Sequence, residues 1–91
     1  MLIRNARDAT ALDWDKAAGL LPAIVQDAFD GRVLMLAWMN PEALERSLDS
    51  GFVTFWSRSR DELWEKGATS GNRLRLVSIS KNCEANSLLV R

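Results

Sequence analysis

A chain of 91 residues has room for one domain with a modest core, and 47% apolar with 26% charged residues is a globular mixture rather than one that stays disordered. Its 12 basic and 12 acidic side chains cancel, which argues against nucleic acid or an anionic membrane as partner and confines any anion site to a local cluster. With no histidine and one cysteine, Cys83, an internal disulfide is excluded. Any chemistry must rest on carboxylates, hydroxyls, one thiol and water.

Residues 1–11 have no clear period and read as a loose arm, and residues 12–91 as the folded domain. The start alternates charge with small residues instead of showing a signal-peptide core, and no apolar run approaches the roughly 20 residues of a spanning helix. The expected compartment is the cytoplasm, with no membrane contact. Residues 20–28 are β-branched and apolar and predict a strand, with Pro22 near its start where a missing N–H is tolerated. Phe29-Asp30-Gly31-Arg32 predicts a tight turn, and residues 33–39 the return strand. That return strand is apolar on both faces, which places it centrally in a sheet, with one side open to a partner chain. Asn40, Pro41 and Glu42 then start a helix as cap, first residue and dipole partner. Leu44 and Leu48 share its inner face, and Gly51 stops it.

Residues 52–57 predict a third strand, followed by a polar stretch over 58–62 and a helical turn over 63–66. Residues 72–80 alternate polar and apolar, the mark of a half-buried strand. Residues 87–91 begin another. The expected fold class is α+β: a small, mostly antiparallel β domain with one clear helix. Its size favours a dimer, because a chain this short buries a small share of its own surface.

Two segments hold the anion-binding chemistry. Ser57-Arg58-Ser59-Arg60 places two guanidinium forks and two hydroxyls at a strand end, and Gly67-Ala68-Thr69-Ser70-Gly71 adds hydroxyls between glycines. Arginine matches phosphate oxygens bidentately, and glycine lets backbone N–H groups approach an anion. By composition alone each segment reads first as a solvated loop. The four tryptophans read first as core and interface residues rather than as a base-stacking platform.

Taken in order, the segments resemble the phosphoribosyl-AMP cyclohydrolases of histidine biosynthesis. The resemblance runs from about Leu12 to Val90. Its most specific runs are Ser57-Arg58-Ser59-Arg60 and Trp64-Glu65-Lys66-Gly67-Ala68-Thr69-Ser70-Gly71. It implies a homodimer with sites at the subunit interface, where water opens the adenine ring of phosphoribosyl-AMP between N1 and C6. Zinc activates the water and magnesium lies nearby. By that resemblance Ser57, Arg58, Ser59, Arg60, Trp64, Thr69, Ser70 and Gly71 hold the phosphorylated nucleotide, phosphoribosyl-AMP or an AMP-like ligand. Lys66 stabilises charge developing on the ring.

Where the family has Asp-Cys-Asp-x-Asp, this chain reads Asn82-Cys83-Glu84-Ala85-Asn86. The magnesium ligands therefore map to Asn82, Glu84 and Asn86, and their formal charge is −1 rather than the family's −3. Cys83 maps to one zinc thiolate. The family's other two cysteines belong to a segment beyond Arg91, supplied by the opposite subunit. The expectation is a nucleotide pocket with a weakened magnesium site and an incomplete zinc site, in a shortened form or in part of a longer catalytic chain. The other reading of Cys83 is a small buried side chain with no ligand role.

Overall fold

The computed structural model describes residues 2–9, 12–14, 19–67, 74–82 and 87–91. Strands β2 (Leu21–Gln26) and β3 (Val33–Met39) form an antiparallel hairpin that pairs Leu21 with Met39 and Ile24 with Leu36. The strand expected to run to residue 28 ends earlier, at Gln26, where the register shifts. The reason lies in Asp27, whose carboxylate accepts the N–H groups of Phe29 at 2.8 Å and Asp30 at 3.0 Å and turns the chain. Those N–H donors, Asp30 first and then Phe29, hold the Asp27 carboxyl below its ordinary range. Gly31 completes the turn at φ +78°, and the Gln26 amide donates to its carbonyl at 2.7 Å.

Helix α2 (Pro41–Ser50) begins and ends where its caps dictate. The Asn40 side chain accepts the Ala43 N–H at 2.8 Å, and Gly51 at φ 81° donates its N–H to the Ser47 carbonyl. Ala43, Leu44 and Ser47 are buried, with Leu48 packed beside them. The Ser47 hydroxyl donates to the Ala43 carbonyl at 2.9 Å and accepts the Thr54 N–H at 2.8 Å. It thereby fastens the helix to β4 (Thr54–Ser57).

Among the described residues, β1 (Leu2–Ile3), β6 (Ile79–Lys81), β7 (Leu88–Val90), β2 and β3 form one sheet in the order β1-β6-β7-β2-β3. Every pair is antiparallel except β7 with β2. A separate two-stranded ribbon pairs β4 with β5 (Glu62–Glu65). One face of the sheet carries Leu21, Ala23, Val25, Met39, Ile79 and Val90 into a core shared with Leu44 of α2 and Phe55 of β4. Each of these side chains larger than alanine contributes about 1.5–3 kcal/mol by leaving water.

Four further expectations change. The opening arm is ordered in part: Ile3 pairs with Ile79 and is a core residue, and α1 (Ala6–Ala9) follows it. Strand β3 lies at the sheet edge rather than at its centre. Its inner residue Met39 is buried, whereas Leu34 and Leu36 are 44% and 57% exposed, so apolar residues on both faces did not signal a central position. Residues 63–66 are not a helical turn, because Leu63 and Trp64 pair with Trp56 and Phe55 in the ribbon. Of the strand expected over 72–80, the described part bridges Phe52 at Arg75 and enters β6 only at Ile79. Its alternation survives as burial, with Leu74 and Leu76 packed on the core and Val77 exposed.

Candidate nucleotide-binding site

The β4–β5 ribbon turns through Arg58, Ser59, Arg60 and Asp61, where Asp61 adopts φ 55° and donates its N–H to the Ser57 carbonyl at 2.8 Å. Asp61 tolerates this left-handed backbone because a short polar side chain suits it. The Ser57 hydroxyl accepts the Arg60 N–H at 3.2 Å and lies 3.4 Å from the Ser59 hydroxyl. Both hydroxyls are thus held at the root of an exposed turn that carries two cations.

Strand alternation places Ser57, Glu62, Phe55 and Trp64 on one face of the ribbon, since Ser57 pairs with Glu62 and Phe55 with Trp64. Ser57, Arg60, Glu62 and Trp64 line a cleft of about 260 Å³. Trp64 packs its ring 5.5 Å from the buried Phe55 ring and remains 39% exposed. The Lys66 ammonium lies 5.7 Å from the Trp64 ring centroid, a cation–π distance. A hydroxyl, a guanidinium, an aromatic face and an ammonium therefore converge, which is the inventory needed to seat a phosphate beside a flat ring.

The sequence-predicted set is divided by the fold. Ser57, Arg60 and Trp64 line the cleft, with Lys66 beside the Trp64 ring. Arg58 does not line it, and its guanidinium carbon lies 4.3 Å from the centroid of the Trp38 ring on β3. Thr69, Ser70 and Gly71 lie outside the described residues, as do Cys83, Glu84 and Asn86. Glu62 was not anticipated. Reading residues 62–65 as a strand would have found it, because position 62 then shares a face with Trp64. For Trp38 there was no local signal, since its contact joins strands far apart in sequence.

Among the described residues no three histidine, cysteine, aspartate or glutamate side chains form a metal-holding group. Asn82, which the resemblance maps to a magnesium ligand, uses its side-chain oxygen to accept the Ser87 N–H at 3.1 Å, and its own N–H donates to the Ser87 carbonyl. Residues 1–91 contain one thiol, Cys83, which lies outside the described residues, and no histidine, so nitrogen and sulfur donors alone do not reach the roughly three protein ligands that a catalytic zinc takes.

Residues 35–91 match the family model described as phosphoribosyl-AMP cyclohydrolase. Over 79 residues the chain is 58% identical to the histidine biosynthesis bifunctional protein HisIE of Escherichia coli K12, covering 87% of this chain and 39% of that protein. The protein of the same name from Shewanella oneidensis is 54% identical over 84 residues, 92% of this chain and 40% of that one. That of Gloeobacter violaceus is 54% identical over 86 residues, 94% and 38% respectively. The chain spans about two fifths of the length of these curated relatives.

Proposed function

The chain belongs to the phosphoribosyl-AMP cyclohydrolase family, and on that premise we propose that it serves the hydrolytic opening of the adenine ring of phosphoribosyl-AMP, between N1 and C6, in histidine biosynthesis. The observation that carries this reading is that Ser57, Arg60 and Trp64 line one cleft of the β4–β5 ribbon, with the Lys66 ammonium against the Trp64 ring. In this reading Ser57 donates to a substrate phosphate oxygen, and Arg60 neutralises the same group with its fork. Trp64, 39% exposed, offers its uncovered surface to the base. A ring laid there lies beside the Lys66 ammonium, which favours the charge that builds up as water adds to C6. Arg58 presents a further fork from the same turn, and Glu62 is placed to accept ribose hydroxyls.

No step is assigned to a metal, because the donors in residues 1–91 do not fit zinc. For the 91-residue polypeptide by itself this count favours a nucleotide-binding module without turnover. Magnesium at Asn82, Glu84 and Asn86 is weakened for the charge reason given above. The test follows phosphoribosyl-AMP loss and binding in parallel, with zinc and magnesium supplied. The chain is expected to bind substrate and leave it intact. Failure to bind would overturn the site, and robust turnover would overturn the donor count.

The same reading includes a cytoplasmic homodimer. Ile24, Leu34 and Leu36 share the sheet face opposite the core and are 38%, 44% and 57% exposed. A contiguous apolar surface of this kind suits a second copy of the chain. Among the described residues no helix is long and apolar enough to cross a membrane.

A further inference from the structure

We propose that Trp38 is a positioning residue for substrate binding: its ring holds the Arg58 guanidinium in the orientation from which it takes a phosphate oxygen. The inference rests on the function proposed above. Arg58 sits on an exposed turn, where an arginine is free to sample many rotamers and forfeits that freedom when it grips a ligand. The contact with Trp38, 4.3 Å from guanidinium carbon to ring centroid, restricts it in advance. A guanidinium carries its N–H donors in its own plane, pointing outward from the edge. A contact made through its carbon to a ring face consumes none of them, so the fork stays available to an anion. An ion pair would do the opposite. Among the described residues no carboxylate pairs with Arg58, whereas Arg32 is held 3.5 Å from Asp30.

Trp38 is a firm support for this role. It is half-buried, pairs with Pro22 across the β2–β3 ladder and precedes the fully buried Met39. The ring therefore references an exposed turn to the five-stranded sheet, which the ribbon joins through no described strand pairing.

The experiment is a double-mutant cycle on phosphoribosyl-AMP affinity, measured by calorimetry without added metal on the wild-type chain, Trp38→Leu, Trp38→Phe, Arg58→Gln and the Trp38→Leu/Arg58→Gln double variant. Trp38→Leu is expected to weaken binding by about two- to fivefold, the size of an exposed cation–π contact. Trp38→Phe, which keeps a ring face, retains most of the affinity. In the Arg58→Gln background Trp38→Leu adds nothing, because the cation it positions is gone. Equal weakening by Trp38→Leu in both backgrounds would overturn the inference and assign Trp38 a merely structural part, as would unchanged or tighter binding. Those results leave the phosphate reading standing if Arg58→Gln itself binds weakly. If Arg58→Gln binds like the wild type, both the Arg58 phosphate reading and the Trp38 inference fall.

Discussion

Replacing Ser47 with Ala should destabilise the domain far more than its small volume suggests. Ser47 and Thr54 are 0% and 1% exposed, and the Ser47 hydroxyl is the acceptor for the Thr54 N–H at 2.8 Å. Alanine fits the space but leaves a buried donor without a partner, which costs about 1–3 kcal/mol. For a domain of this size each kcal/mol lowers Tm by about 4–8 °C, so a midway loss near 2 kcal/mol corresponds to about 8–16 °C. Ser50 is the internal control. Its hydroxyl also accepts a backbone N–H, from Phe52 at 3.1 Å, but Ser50 is exposed and water can replace it. Ser50→Ala should therefore cost no more than about 0.5 kcal/mol. Urea unfolding at fixed protein concentration reads both. Equal costs for the two variants, or a Ser47→Ala loss under about 0.5 kcal/mol, would refute the reasoning that this hydroxyl fastens α2 to the strand carrying the site.

Acid should act on the β2–β3 turn through Asp27. Its folded pKa is lowered, so its contribution is present above the ordinary value of 3.8 and is lost as pH falls through the lower folded value. Asp27→Asn keeps an acceptor oxygen and does not titrate, so the stability gap between wild type and variant should change between pH 5 and 3 and stay flat above, read by urea midpoints. A gap constant with pH contradicts the assignment. Leu36→Lys places a charge on the exposed sheet face without touching the core, and sedimentation at micromolar concentration should show a folded monomer where the wild type is a dimer. A wild-type monomer, or a variant that still dimerises, would place the interface elsewhere.

Much of the fold was legible because its signals are local. Asn40, Pro41 and Gly51 fix the helix by their own backbone chemistry, and Asp30-Gly31 marks a turn wherever it falls. The Ser57-Arg58-Ser59-Arg60 run was equally readable, since four adjacent residues carry both the cations and the hydroxyls. What failed was decided between distant segments. A strand apolar on both faces is compatible with a sheet centre or with an edge whose outer face is open, and only strand order separates the two. Residues 63–65 have no strong preference of their own, and pairing with residues 54–56 made them part of a strand. Two residues, Leu2 and Ile3, are too short for any period to show, yet Ile3 completes the core. The division of Arg58 from Arg60 follows the same rule, because it depends on where β3 brings Trp38.

The most direct measurement of the central claim is the affinity of AMP and of adenosine for the wild-type chain and Arg60→Ala. Arg60 lines the cleft with Ser57 and Trp64, and a charge-assisted hydrogen bond contributes about 1.5–3 kcal/mol, or roughly ten- to 150-fold in affinity. AMP should weaken by that factor while adenosine, which lacks the phosphate, is unaffected. AMP binding that is indifferent to Arg60, or an equal loss for both ligands, would contradict a phosphate site at the β4–β5 turn.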